Sequence, residues 1–165
     1  MSEPPGAPGT ADIDRRLTRR EHPQQVPKPM DGSDGLFVVD GTWGKIYPME
    51  LAPGIRAVGE LEVISHIKRD LPLIDTRLEH FHEASTIPGA HNIPHHEIRA
   101  RLDDLEPGHP TVFFCNGPQC GATPDAIRSL LESGFPEASI LYYRGGMHDW
   151  ITLGLPIAPP GGGAR

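Results

Sequence analysis

The middle of the chain alternates between short apolar runs and stretches with helical spacing. Runs such as Thr111-Val112-Phe113-Phe114 are typical of strands buried on both faces of a sheet. Apolar residues three or four positions apart predict amphipathic helices between these runs. Strands are expected at 55–58, 71–75, 111–114 and 139–143, a shorter one within 87–94, and helices at 60–69, 79–84, 95–105, 125–133 and 147–153. This alternation predicts an α/β domain with a mostly parallel central sheet.

Two of these helices have an apolar face that predicts which residues point inward. In the first helix, Leu61, Ile64 and Ile67 share a face, and in the third the inward residues are Ile98, Leu102 and Leu105. In the last helix, Met147 and Trp150 are three positions apart and are expected in the core.

The two ends of the chain differ in composition from the middle. Residues 1–30 contain six prolines and no apolar run, and residues 159–165 consist mostly of proline and glycine. Such composition is typical of segments without a core of their own. We therefore expect a flexible N-terminal tail at 1–35, an N-terminal extension with a hairpin around Asp40-Gly41 at 36–54, one domain at 55–158 and a flexible C-terminal tail at 159–165.

Both cysteines of the chain lie in one loop between a strand and a helix. Cys115 follows the run 111–114, and Thr123 and Pro124 suit the N-cap and first position of a helix that Gly134 ends. The reactive form of cysteine is the thiolate, which helix N-termini and inward-facing loop amides stabilise. We expect Gly117 and Gly121 to adopt positive φ and turn their amides inward. Cys115 is thus the candidate nucleophile.

Polar residues follow three of the predicted strands directly. They are Asp75-Thr76-Arg77, Cys115 and Arg144-Gly145-Gly146. Ligands of parallel sheets bind at the carboxyl ends of the strands, so these groups are expected to converge there. Arg77 either fixes Asp75 through an ion pair, which its position favours, or lends positive potential to the pocket. Arg144 faces either the pocket or solvent.

Composition excludes several classes of function. The net charge of −7 argues against a nucleic acid or an acidic membrane as partner. No apolar run approaches the roughly 20 residues needed to cross a bilayer, and no apolar segment follows the N-terminal arginines as in a secretory signal. Two cysteines with four residues between them do not resemble a secreted disulfide framework. The expected compartment is therefore a reducing cytoplasm.

Four motifs, in order over about residues 55–158, resemble the rhodanese family of single-domain sulfurtransferases. They are Leu73-Ile74-Asp75-Thr76-Arg77, Thr86-Ile87-Pro88-Gly89-Ala90-His91-Asn92-Ile93-Pro94, Phe114-Cys115, and Tyr143-Arg144-Gly145-Gly146-Met147-His148-Asp149-Trp150 with Gly154-Leu155-Pro156. The resemblance implies a three-layer α/β domain with a mostly parallel sheet flanked by helices. It also implies that Cys115 forms a persulfide and that Asp75 and Arg77 surround the site. The substrate-binding loop then comprises Asn116, Gly117, Pro118, Gln119, Cys120, Gly121, Ala122 and Thr123, with Arg144 in support.

The chain departs from the family pattern at several positions. Thr86 stands where the family usually has histidine, a change expected to affect packing rather than chemistry. The loop is longer than the common six-residue form and lacks the arginine or lysine that many members place there, which bears on binding of a dianion such as thiosulfate. Pro118 also removes one loop N–H donor. A pocket role for Arg77 or Arg144 would compensate for the missing loop cation.

The resemblance implies a rhodanese-type sulfurtransferase with a small sulfane-sulfur donor, or a protein sulfur donor, and a thiol or cyanide-like acceptor. No metal and no organic cofactor is needed. Cys120 is either a resolving thiol that closes a disulfide with Cys115 or a loop residue packed against the helix start. A second hypothesis is therefore a non-catalytic sulfur-carrier or redox-sensing module that uses both cysteines.

A cysteine-based phosphatase or arsenate reductase is a third, weaker hypothesis. Those relatives carry Cys-x5-Arg, but here Gly121 occupies the position of the arginine. The histidines at 80, 82, 91, 95 and 96 fit no standard zinc spacing. They are expected to be solvated surface residues, and no metal site is predicted.

Overall fold

The computed structural model of the chain describes residues 28–29, 37–38 and 46–158. The strands are β1 (Lys28–Pro29), β2 (Phe37–Val38), β3 (Arg56–Ala57), β4 (Leu73–Asp75), β5 (His91–Asn92), β6 (Thr111–Phe114) and β7 (Ile140–Tyr143). The α-helices are α1 (Glu60–Lys68), α2 (Glu79–Ala84), α3 (Ala122–Glu132) and α4 (Gly146–Thr152). Two 3-10 segments span His95–Asp104 and Glu137–Ser139. Within the described residues, no helix is both long and apolar enough to span a bilayer.

The central sheet has five strands in the order β3-β7-β6-β4-β5, and every neighbouring pair is parallel. The predicted α/β class with a mostly parallel sheet is therefore confirmed. The last residue of β4, Asp75, lies opposite Phe114 of β6, which in turn lies opposite Tyr143 of β7. The carboxyl ends of these strands thus meet at one edge, where the loops after 75, 114 and 143 emerge together.

Two apolar clusters on opposite faces of the sheet make the domain a three-layer sandwich. One face packs Val112 and Phe114 against α1 and α4, with Met147 and Trp150 fully in the core as predicted. The other face packs Phe113 against α3 and the 3-10 segment at 95–104. Successive residues of β6 point to opposite faces, and all four are buried. This is why β6 appears in the sequence as a continuous apolar run.

Two helices differ from their predicted form. The segment expected as a helix at 95–105 is mostly 3-10, with non-helical φ/ψ at Arg101, although Ile98 and Leu105 are buried as expected. In α1, Val63 and His66 are the buried residues, and Leu61 is 81% exposed. The face predicted from Leu61 is therefore rotated, because the apolar spacing of this short helix fits more than one face.

The N-terminal strand pair differs from the predicted hairpin. β1 pairs with β2 in an antiparallel register that joins Lys28 to Val38 and Pro29 to Phe37. β1 thus falls inside the stretch expected to be a flexible tail, upstream of the boundary placed at residue 36. The turn predicted at Asp40-Gly41 and the C-terminal tail at 159–165 lie outside the described residues.

Candidate active site

Cys115 sits directly after β6, at the start of a loop that leads into α3. Its side chain is buried, with the residue 2% exposed. The backbone N–H of Thr123, in the first turn of α3, donates to Cys115 Sγ over 3.4 Å. Because a helix N-terminus carries unpaired N–H groups and partial positive charge, this contact stabilises negative charge on the sulfur. The strand, loop and helix are arranged as predicted, but α3 begins at Ala122 and its N-cap is Gly121, so Thr123 is not the cap.

The two cysteines titrate as a pair rather than separately. Burial raises the pKa of Cys115 well above its ordinary value, and Cys120 raises it further, while hydrogen bonds from Thr123 oppose this. The hydrogen bond from Cys115 lowers the pKa of Cys120 to about 6 against the effect of burial. The N–H groups of Ala122 and Asn116 also lower it. The pair therefore loses its first proton easily and its second with difficulty, and the remaining proton is shared between the two sulfurs.

A pair of threonine hydroxyls connects this sulfur to the loop after β4. The Thr76 hydroxyl donates to the Phe114 carbonyl over 3.0 Å and lies 2.8 Å from the Thr123 hydroxyl. The Thr123 hydroxyl is also hydrogen-bonded to the Cys115 sulfur. Each hydroxyl has a single proton, so when Thr76 donates to the Phe114 carbonyl it accepts from Thr123, and the Thr123 proton is free for Cys115 only when Thr76 turns its own proton to Thr123. Thr76, named in the sequence only as part of a polar group, is thus linked to the candidate nucleophile through Thr123.

Asp75 holds a buried polar network beside the loop. Arg77 donates to both carboxylate oxygens, from Nε over 2.9 Å and from Nη2 over 2.7 Å, and its backbone N–H donates over 3.1 Å. Burial by itself would raise the pKa of Asp75, but the charge of Arg77 and hydrogen bonds from His82 and Arg77 lower it to about 2. Arg77 also donates to the Ser85 carbonyl over 2.6 Å. The ion pair favoured by the sequence is present. The Nη1 of Arg77 also lies 3.5 Å from Asn116 Oδ1 in the loop after β6, and the charge of Arg77 is one of the influences that lower the pKa of Cys120.

Two residues in this network differ from their sequence-based expectation. Thr86, expected to affect packing, donates its hydroxyl to Asp75 Oδ2 over 2.9 Å. His82, expected at the solvated surface, is buried and lies 3.1 Å from the same oxygen through Nδ1. A carboxylate only accepts, so the imidazole donates. Thr86, where the family usually has a histidine, thus supplies one polar partner to Asp75, and His82 supplies another from α2.

The residues after β7 support the loop between β6 and α3, residues 115–121, which is called the cysteine loop below. Met147 N–H donates to the Cys115 carbonyl over 2.9 Å, and His148 N–H donates to the Asn116 carbonyl over 2.8 Å. Gly146 has φ of +57°, and a Cβ there would lie 2.4 Å from the Cys115 carbonyl oxygen. Only glycine fits at this close approach.

The glycines of the cysteine loop play a different part from the one expected. Among the described residues, the positive-φ glycines do not include Gly117 or Gly121, and Gly121 has φ of −86°. Both make close approaches instead: a Cβ at Gly121 would lie 2.9 Å from the Tyr47 hydroxyl, and one at Gly117 would lie 3.1 Å from His148 Cβ. Small size rather than unusual φ explains glycine at these positions.

Three other residues expected at the site, Pro118, Gln119 and Arg144, differ in their surroundings. The backbone of Pro118 accepts from Tyr47 N–H over 2.7 Å, and Gln119 is buried with an Oε1 atom that has no partner within the described part of the chain. Arg144 is half-buried at the end of β7, and its Nη1 contacts Met49 Sδ at 2.7 Å. Tyr47 and Tyr142 were not predicted. A signal for Tyr142 existed, since residues two apart on a strand share a face and Arg144 was already a candidate.

No group of three or more histidine, cysteine, aspartate or glutamate side chains is arranged to hold a metal ion within the residues that the structure describes. His82 contacts Asp75, and His95 Nδ1 lies 2.8 Å from Asp125 Oδ2 on α3. These two histidines are therefore engaged with carboxylates in separate parts of the domain.

This fold and site define a member of a known family. Residues 60–153 match the family model of the rhodanese-like domain, so the chain belongs to the rhodanese-like domain family. A sulfurtransferase of Allochromatium vinosum is 31% identical over 94 residues, which cover 56% of this chain and 83% of that protein. The chain thus has sulfurtransferase relatives at the level of the family.

Two further likenesses cover only part of the other protein. An HTH-type transcriptional regulator of Mycobacterium tuberculosis is 35% identical over 97 residues, which cover 57% of this chain and 42% of the regulator. The chain therefore spans less than half of that regulator's length. The crystal structure of thiosulfate sulfurtransferase from Pseudomonas aeruginosa matches with a TM-score of 0.56 at 20% identity, over 64% of this chain and 20% of that one. This likeness shows the shared fold.

Proposed function

We propose that this chain is a sulfurtransferase that carries a sulfane sulfur as a persulfide on Cys115. The observation that carries the proposal is the position of Cys115 Sγ, at the end of β6 and 3.4 Å from the Thr123 N–H of α3. Donors at that place stabilise both a thiolate and the terminal sulfur of a persulfide. The sulfurtransferase of Allochromatium vinosum among the relatives supports the same class of reaction.

The two half-reactions are thiolate displacements. The Cys115 thiolate attacks the outer sulfur of a donor such as thiosulfate or an alkyl persulfide. An S–S bond to Cys115 forms, and sulfite or the donor thiolate leaves with the electron pair of the broken bond. An acceptor thiolate or cyanide then takes that sulfur, and the Cys115 thiolate is regenerated. No metal or organic cofactor takes part in either step.

Cys120 has a defined part in the first half-reaction. In the resting pair, the Cys115 thiol donates to the Cys120 carbonyl over 3.6 Å, and Cys115 lowers the pKa of the neighbouring Cys120 thiol to about 6. As Cys115 attacks, its proton passes to the Cys120 thiolate, so Cys120 is the internal base. Charge and protons balance because the pair holds one proton before and after the attack. Such transfer needs the direct hydrogen bond between the two thiols.

The test is the intact mass of the protein after incubation with thiosulfate and, separately, with an alkyl persulfide. A gain of one sulfur, removed by a reducing thiol, is expected in the wild type and in Cys120→Ser. It should be absent in Cys115→Ser. Sulfur uptake by Cys115→Ser would refute the assignment of the nucleophile.

A second candidate function is a sulfur-carrier or redox-sensing module. The observation that favours it is the closeness of the two free, buried cysteines, with the Cys115 thiol 3.6 Å from the Cys120 carbonyl. Here the Cys120 thiolate attacks the inner sulfur of the Cys115 persulfide, forms a Cys115–Cys120 disulfide and releases hydrosulfide. The relative that is a transcriptional regulator accords with a sensing role. Loss of two hydrogens from the mass after persulfide loading, absent in Cys120→Ser, would support this function over transfer to a small acceptor.

We also propose the setting in which the site works. Residues 55–158 act as the catalytic domain, and the preceding segment at 46–54 is an extension that meets it at Tyr47. Two adjacent free thiols are typical of a reducing compartment, for which we propose the cytoplasm. The partners are a sulfane-sulfur donor, small or protein-bound, and a thiol acceptor.

A further inference from the structure

Two residues of β7 and its end point to the same face of the sheet as Cys115. Tyr142 lies opposite Phe113 of β6, and Cys115 is two residues beyond Phe113. Arg144 is two residues beyond Tyr142. Tyr142 belongs to the apolar cluster on the α3 side of the sheet. Cys115 contacts Thr123 of α3. Arg144 contacts Met49 of the segment whose Leu51 packs on the same cluster. The Tyr142 and Arg144 side chains therefore lie on the side of the sheet where the sulfurs are.

The Tyr142 hydroxyl is a buried donor without an acceptor. Tyr142 is 1% exposed, and its hydroxyl has no hydrogen-bond partner in the part of the chain that the structure describes. Burial raises the pKa of Tyr142; the Cys115 thiol raises it further, and the Arg144 charge opposes this. The hydroxyl therefore lies within electrostatic range of the thiol and the guanidinium. A buried polar group with no partner lowers the stability of the fold, and a ligand that accepts its hydrogen bond would remove this cost.

Arg144 is the second donor with weak partners. Its Nε is buried and has no partner among the described residues, and its Nη1 contacts the Met49 thioether at 2.7 Å. A thioether is a weak acceptor for a guanidinium, whose usual partners are oxyanions. Arg144 thus keeps most of its capacity to bind an anion. It also supplies the cation that the cysteine loop lacks.

Residues 46–52 cover this face from the outside. Tyr47 N–H donates to the Pro118 carbonyl over 2.7 Å, and the Tyr47 hydroxyl approaches Gly121 closely. A cavity of about 340 Å³ remains between this segment and α3, and Tyr47, Leu51, Ile127 and Leu131 are among its lining residues. Met49 is 55% exposed, so its side chain can be displaced from Arg144. The segment therefore touches both the cysteine loop, through Tyr47, and Arg144, through Met49.

We propose that Tyr142 and Arg144 form a recognition site for the oxyanion end of an anionic sulfane donor, a thiosulfonate such as thiosulfate, held beside Cys115 under residues 46–52. The proposal rests on the proposed sulfurtransferase function and names its donor class. The Tyr142 hydroxyl and the Arg144 guanidinium donate to the donor's oxygens in place of the absent loop cation. The incoming anion displaces the Met49 side chain from Arg144.

The reaction of Cys115 with thiosulfate is balanced when Tyr142 and Arg144 only bind the oxygens of the donor. The Cys115 thiolate attacks the outer sulfur, the bond between the two sulfurs of thiosulfate breaks, and sulfite leaves with its electron pair. Two negative charges enter on thiosulfate and two leave on sulfite, while the charge of the thiolate remains on the persulfide. The oxygens stay on the side of β7 throughout, so the same donors hold both the donor molecule and the leaving group.

The test measures thiosulfate binding to Cys115→Ser by calorimetry, where no sulfur transfer takes place. Adding Tyr142→Phe to this variant should weaken binding roughly tenfold or more, the usual effect of losing a hydrogen bond to a charged group. The matched control is Tyr143→Phe in the same background. Tyr143 lies on the same strand but faces the opposite side of the sheet, and its hydroxyl donates to Glu60, so binding should be retained.

A second variant acts in the opposite direction. Met49→Ala in the Cys115→Ser background removes the thioether that occupies Arg144, and thiosulfate binding should become tighter. In kinetics on otherwise wild-type protein, Tyr142→Phe should lower the ratio of kcat/KM for thiosulfate to kcat/KM for an alkyl persulfide, a donor without oxyanion oxygens. Equal thiosulfate affinity with and without Tyr142→Phe, or no binding by Cys115→Ser, would overturn this inference. The sulfurtransferase function itself would stand as long as Cys115 accepts sulfur from the alkyl persulfide.

Discussion

The two polar regions at the carboxyl edge of the sheet differ in how completely their groups are paired. Around Asp75, both carboxylate oxygens accept hydrogen bonds, from Arg77, Thr86 and His82. Beside Cys115, the Tyr142 hydroxyl and the Arg144 Nε have no partner within the described residues. Both regions are buried, and they are separated by the width of one strand.

This difference distinguishes a polar group that holds the fold from one that is available to a ligand. A fully paired buried network contributes specificity and rigidity, because each group would be costly if left alone. An equally buried donor without a partner lowers stability, and its presence is explained if a ligand accepts a hydrogen bond from it. The Asp75 network is therefore expected to govern stability, and the face of β7 to govern the substrate.

The largest expected effect is on the Asp75 side. Asp75→Ala leaves the Arg77 guanidinium buried without its partner and should lower the free energy of unfolding by about 3–5 kcal/mol. Unfolding by denaturant measures this loss of free energy. The control is Asp104→Ala, which removes a solvent-exposed ion pair with Arg101 and should cost about 1 kcal/mol or less. Similar losses for both variants would show that the buried network does not carry the stability assigned to it.

Lowering the pH should remove the contribution of the Asp75 carboxylate to the free energy of unfolding within a defined pH range. The pKa of Asp75 is about 2 in the folded protein, below its ordinary value of 3.8. Its stabilisation is therefore complete above about pH 4 and is lost as the pH falls towards 2, amounting to about 2 kcal/mol. NMR titration of the Asp75 carboxyl carbon measures the folded value directly. A midpoint at or above its ordinary value would contradict the ion pair.

In the region beside Cys115, we expect replacement of Cys120 to change the titration of the thiols. In the wild type, ultraviolet thiolate absorbance should show a first ionisation near pH 6, because hydrogen bonding lowers the pKa of Cys120 to about 6. Cys120→Ser should abolish this step. It should also lower the pKa of Cys115 relative to the wild type, since the charge of Cys120 no longer raises it. An unchanged first step in Cys120→Ser would mean that the two thiols do not share their proton.

The smallest expected effect compares two tyrosines of one strand. Tyr143→Phe removes a hydrogen bond of 2.9 Å to Glu60 and should lower the free energy of unfolding by about 1 kcal/mol. Tyr142→Phe removes a hydroxyl without a partner and should leave stability equal or slightly higher. Thermal unfolding of both variants without ligand measures the difference. Equal destabilisation would indicate that Tyr142 is paired in solution.

The fold could be predicted from the sequence because burial on both faces leaves a clear pattern. β6 and β7 appear as continuous apolar runs, and the polar groups that follow β4, β6 and β7 converge because the strands are parallel. The nucleophile candidate could be recognised for the same reason. Capping was harder: Thr123 has the composition of an N-cap, but Gly121 caps α3 while Thr123 serves the sulfur of Cys115.

The partners of individual side chains could not be predicted, because they depend on contacts between distant parts of the chain. Thr86 and His82 are 11 and 7 residues from Asp75, and only the path of the intervening chain brings them to one carboxylate oxygen. Tyr47 reaches the cysteine loop from outside the predicted domain. Strand alternation relative to Arg144 is the one sequence signal that separates Tyr142 from Tyr143 as the tyrosine that faces the sulfurs.

The cysteine loop is attached to the rest of the protein in two mechanically different ways. Its first half is clamped by the corner after β7, through the carbonyls of Cys115 and Asn116 and the tight fit of Gly146. Its second half is linked at the Pro118 carbonyl to Tyr47, on a segment that enters from the N-terminal side. The residue that bears the sulfur is therefore anchored within the domain, whereas the outer rim of the loop is anchored to a segment that precedes the domain.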